Sequence, residues 1–128
     1  MVNLQGIQYK TFKTDADDLA PVMKDYVLPI CMEVFRANHL RYLMVTSTTG
    51  GGHIKNSLHY KGRAIDLRLP SRVMCAMFQE TWRKELYDID NRVHGGLVES
   101  LGTEFQVFLE THQSSPYDWH IHVELDPK

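Results

Sequence analysis

The sequence predicts an α+β fold, a small and largely antiparallel sheet backed by helices. Three observations carry that expectation. Segments 40–47, 64–69, 105–110 and 119–125 alternate apolar and polar residues with the period of two that half-buried strands require. Two longer runs, ending near Asn38 and Tyr87, repeat apolar residues at helical spacing. The last two strands are joined by a turn of about eight residues, short enough to make them antiparallel neighbours. A length of 128 residues accommodates one domain spanning 1–128 and little more.

In chain order, residues 1–14 alternate weakly through Leu4, Ile7, Tyr9 and Phe12, which predicts an edge strand. Asp15, Asp17 and Asp18 then place negative charge before Leu19 and Pro21, where the positive end of a helix dipole favours it. The helix that follows carries Val22, Tyr26 and Phe35 on its inner stripe and stops at Asn38-His39. Pro29 is expected to kink or split it, because proline lacks the amide donor and its ring meets the carbonyl four residues back. The strand 40–47 sets Tyr42, Met44 and Thr46 against Leu43 and Val45. Three glycines at 50–52 follow, without the lysine and helix of a phosphate-binding loop.

A second helix is expected from Pro70 to Tyr87, with Val73, Met74, Met77, Phe78, Trp82 and Leu86 at helical spacing and its methionines as core filler. Asp88 to Asn91 reads as a polar connection, and a short helix over 93–101 ends at Gly102. Cys31 and Cys75 lie in apolar helical runs and are expected as buried free thiols.

The chemistry concentrates in two stretches. Ser57-Leu58-His59-Tyr60-Lys61-Gly62-Arg63-Ala64-Ile65-Asp66 offers an imidazole and, seven residues on, a carboxylate, with Gly62 permitting a turn between them. Trp119-His120-Ile121-His122-Val123-Glu124 offers two imidazoles at alternate positions. As strands, both present an apolar face to a core and a polar face able to converge: Ala64, Asp66 and Arg68 on one, His120, His122 and Glu124 on the other. Imidazole nitrogen and carboxylate oxygen are the donors zinc prefers, three protein ligands making a catalytic site and four a closed structural one. The two histidines at i and i+2 can both bind one metal, so spacing leaves both arrangements open. The plain reading of Asp66 is an ion pair with Arg63 or Arg68; Ser57 and Glu124 are candidates to orient ligands.

Ser-x-His-x-x-Gly-x-Ala-x-Asp followed by Trp-His-x-His resembles the zinc D-alanyl-D-alanine carboxypeptidases, in the superfamily shared with lysostaphin-type endopeptidases and the hedgehog signalling domain. The resemblance covers about residues 40–126 and implies that His59, Asp66 and His122 bind Zn²⁺ in a cleft on the sheet face. It implies His120 as the catalytic imidazole beside the metal, and an amide of bacterial peptidoglycan stem peptides or muropeptides as the bond cut. Relatives often carry an arginine in a Gly-Tyr-Arg-Ser-like segment that helps hold substrate; the corresponding stretch here, 45–52, has none. Tyr60, Lys61, Arg63 and Tyr117 are the groups available to replace it, and His53 in the glycine loop is a further candidate for substrate contact. The hedgehog branch implies the alternative, a non-catalytic module that keeps zinc for stability and acts through protein contacts.

A formal charge of −2 gives no basic footprint for nucleic acid. No apolar run has the length of a membrane span, and the amino terminus lacks the apolar stretch of a signal peptide. The expectation is a monomer, cytoplasmic as synthesised, that reaches the wall when another factor releases it, as for phage-type lytic enzymes.

Overall fold

The computed structural model describes residues 6–10, 19–48, 62–85 and 87–125. Its elements are β1 (Ile7–Tyr9), a π-helical turn (Met23–Val27) running into α1 (Leu28–Ala37), β2 (Leu43–Ser47), β3 (Ala64–Arg68), α2 (Pro70–Met77), α3 (Asp88–Leu101), β4 (Phe105–Glu110), a 3₁₀ turn (Pro116–Asp118) and β5 (His120–Leu125). Five strands form one sheet in the order β1-β2-β3-β5-β4. β1 runs parallel to β2, and the β2–β3, β3–β5 and β4–β5 pairings are antiparallel. The expected α+β class, a largely antiparallel sheet backed by helices, is the observed one. The expected edge strand is short, with Leu4 and Phe12 outside the described residues.

Period-two patterning decides which face of the sheet meets the helices. Leu43, Val45, Ile65, Leu67, Ile121 and Val123 are fully buried and join one core with Met23, Leu28, Phe35, Val73, Val93 and Leu97 from the helices. Each such side chain contributes roughly 1.5–3 kcal/mol on leaving water, so this layer dominates the fold's stability. The alternate strand residues, the polar ones, face the other way. Cys31 and Cys75 are buried free thiols, as expected.

Pro29 does not split its helix, since the π-helical turn runs directly into α1. The amide of Leu28 bonds the carbonyl of Met23, five residues back, opening a wide turn just before the proline. That turn loosens the helix where the Pro29 ring would meet the Asp25 carbonyl. The helix stops where expected: His39 takes φ 67°, its amide reaches Arg36 O at 3.0 Å, and Leu40 N–H reaches Phe35 O at 3.0 Å. This paired arrangement satisfies carbonyls that the last helical turn leaves free.

The expected helix over 70–87 is shorter, ending at Met77. Gln79 adopts φ 55°, and the amides of Gln79 and Glu80 bond back to Ala76 O and Cys75 O at 3.3 and 2.8 Å, repeating the His39 device. Phe78 is exposed and is no part of a buried stripe. The expected polar connection 88–91 is instead the first turn of α3, which begins at Asp88 and ends, as expected, before Gly102 at φ 86°. Asp90 explains the early start. Its carboxylate is buried and accepts from the Ser71 amide at 2.8 Å and pairs with the Ser71 hydroxyl at 2.7 Å. The same hydroxyl accepts from Trp82 Nε1 at 3.0 Å, tying the first turns of α2 and α3 to the extended segment after α2.

Candidate metal centre

The register of β3 against β5 brings the two sequence stretches together. Asp66 stands opposite His122, Arg68 opposite His120 and Ala64 opposite Glu124. On the other side of β5, Glu110 stands opposite His120 and Phe108 opposite His122. Strand alternation then sets Asp66, Arg68, Phe108, Glu110, His120, His122 and Glu124 on one face, away from the helical core. A bulge between Val45 and Ser47 shifts the β2–β3 register beside Asp66, and Thr46 Oγ1 donates to Asp66 O at 3.3 Å.

Asp66, His120 and His122 each offer a ligand atom, and these atoms all lie within 4.8 Å of one another. Asp66 Oδ1 is 2.8 Å from His122 Nδ1 and 3.5 Å from His120 Nε2. The three are placed to hold a metal ion. The remaining ring nitrogens are engaged. His120 Nδ1 bonds the Asp118 carbonyl at 2.9 Å, which requires a proton on Nδ1 and leaves the Nε2 lone pair facing Asp66. His122 Nε2 bonds Glu124 Oε1 at 2.7 Å, directing Nδ1 toward Asp66. Partners of this kind, a carbonyl or a carboxylate on the far nitrogen, fix ring orientation and raise basicity at metal sites. Glu110 Oε2 adds a third carboxylate at 3.5 Å from His120 Nε2.

Burial pulls the His122 imidazolium down, but hydrogen bonds and charges from Asp66 and Glu124 outweigh it and hold the ring above its ordinary value. The surroundings of His122 therefore favour positive charge. Two imidazoles and the Asp66 carboxylate form a donor set that fits a divalent ion.

His59 lies outside the described residues, as do His53, Ser57, Tyr60 and Lys61. The pairing of β3 with β5 brings Asp66, His120 and His122 together, and Glu124 Oε1 bonds the far nitrogen of His122. Sequence reading missed Glu110 and the Asp118 carbonyl. Glu110 carries no signal of its own in the sequence, because only the β4–β5 register of the folded sheet sets it against His120. Arg63 and His112 are exposed. No family model, curated protein or solved structure matches the chain. No helix among the described residues is long and apolar enough to cross a membrane.

Proposed function

We propose that the protein is a zinc-dependent peptidase that hydrolyses an amide of peptidoglycan stem peptides. The observation that supports the reading most is the convergence of Asp66, His120 and His122 from paired strands, each histidine held by its far nitrogen. The motif resemblance adds His59 as a ligand and names the substrate class. Zinc bound at such a site supplies Lewis acidity for the amide carbonyl and for a water nucleophile. The chain's own residues divide the remaining work. Asp66 and His122, with His59 as the resemblance implies, would hold the metal. His120 keeps a bare Nε2 because its other nitrogen donates to Asp118 O, so it can take a proton near the metal or steady an oxyanion. Glu110 Oε2 lies 3.5 Å from that nitrogen, on the neighbouring strand.

A second reading has its own support. His120 Nε2 belongs to the same ligand cluster as Asp66 and His122, so with His59 it would complete four ligands and make a zinc-stabilised module without catalysis. His120→Ala separates the two. For the enzyme, the variant keeps one equivalent of zinc and the wild-type melting temperature while muropeptide turnover falls roughly 10²- to 10⁴-fold. Loss of zinc and stability from His120→Ala, with an inactive wild type, would establish the module instead.

A further inference from the structure

Where β3 ends at Arg68, two residues past Asp66, lies a cavity of about 230 Å³ walled mainly by α2 and the segment that follows it. Arg68, Arg72, Cys75, Glu80, Trp82 and Tyr117 line it. Arg68 extends from β3 two residues past Asp66 and opposite His120; Arg72 reaches in from α2. Arg68 Nε is buried and has no hydrogen-bond partner among the described residues. An arginine donor left bare inside a protein is costly, so its presence points to an acceptor that arrives with a ligand.

Arg72 is held in place. Its Nη1 donates to Tyr117 O at 2.9 Å, and its guanidinium lies 5.3 Å from the Tyr117 ring centre and 5.7 Å from that of Trp82. Burial, and then the charge of Arg68, lower its pKa, as expected of two cations facing each other across a partly dry space. Glu80 and Asp118 are nearby, yet neither arginine forms an ion pair among the described residues. Two guanidinium forks, one with an unused donor and the other braced by aromatic rings, make a receptor for a planar oxyanion.

We propose that Arg68 and Arg72 bind a free carboxylate of the substrate, placing it beside the bond that faces Asp66 and His122. The inference rests on the peptidase reading and deepens it. Residues two apart on a strand are about 6.5–7 Å from each other, roughly the span of two residues of an extended peptide. The substrate therefore ends within about two residues of the cut bond, and the enzyme trims short carboxyl termini.

Calorimetry on the full-length zinc-loaded protein tests this, with N-acetyl-D-alanyl-D-alanine, its carboxyl-terminal amide and inorganic phosphate as probes. Trp82 fluorescence provides a second readout inside the cavity. The acid should bind about 10- to 100-fold more tightly than the amide, the worth of charge-assisted bonds to a carboxylate. Arg68→Gln and Arg72→Gln should each remove most of that preference. Arg68→Lys, which keeps charge and bulk without the fork, should fold as wild type and still lose a large part of it. Equal binding of acid and amide, unchanged acid binding in both glutamine variants, or phosphate binding without preference for the acid would each overturn the proposal. Selective acid binding without hydrolysis would leave the subsite in place and remove only the peptidase reading.

Discussion

Asp90 is a buried acid whose role is structural, and pH should expose it. Burial raises its pKa above the usual carboxylate range, while hydrogen bonds from Ser71 and Tyr87 oppose the rise without cancelling it. An acid whose folded-state value is raised stabilises the fold fully below its unfolded value and loses that contribution as pH climbs through the folded one. Wild-type stability relative to Asp90→Asn should thus fall from acid toward neutral pH, a trend that urea melts of both proteins across that range would measure. Asp90→Ala leaves the buried Ser71 amide without its acceptor and should cost about 1–3 kcal/mol at any pH. Cys31 offers a cleaner test, since burial pushes its thiol up to about 12. It should resist a thiol reagent at neutral pH in the native state and react on unfolding, as a thiolate must form first. Fast native labelling of Cys31 would contradict its placement in the core.

Between elements, α1 and α3 meet at a glycine. A Cβ on Gly96 would lie 2.9 Å from Val34 Cγ1, whereas one on Gly95 would meet nothing within 4 Å. Adjacent glycines in one helix should therefore respond with opposite signs. Gly95→Ala should stabilise by roughly 0.5–1 kcal/mol through helix propensity. Gly96→Ala should lose about 1–2 kcal/mol net, since valine's stiff side chain cannot swing aside, and Val34→Ala in the same chain should recover part of that loss. Thermal melts of the three variants decide it. Strands were legible from the sequence because alternation marks them directly, and β3 and β5 emerged with the correct faces. The helix over 70–87 was read too long because Val73, Met74, Met77 and Trp82 keep a helical interval across a break that no glycine announces. Gln79 makes that break in a left-handed conformation ordinarily given to glycine, so Gln79→Gly should be neutral or stabilising. Asp90 escaped notice because its partner Ser71 is 19 residues away in sequence. The site followed the same rule: His120 and His122 were legible as a pair, while Glu110 required a register that only the folded sheet provides.

At the scale of the whole molecule, a metal held by Asp66, His120 and His122 would join β3 and β5, which the sheet already pairs. Zinc that binds the native site and not the unfolded chain stabilises by mass action, so chelation should lower the melting temperature in proportion to occupancy. Asp66→Ala should lose most of the metal, and its melting point should no longer respond to chelator; full occupancy in that variant at equal free zinc would remove Asp66 from the ligand set. The strand order has a further consequence for how the molecule is made. β5 follows every other described strand in the chain yet lies between β3 and β4. His122 meets Asp66 across 56 residues of sequence. On a ribosome, β3 therefore emerges with one of its two neighbours unmade, and β4 has no strand to pair with until β5 appears. The cluster cannot assemble on the nascent chain until synthesis has passed Glu124, so capture of a metal there would belong to the closing act of folding, after a long loop has shut.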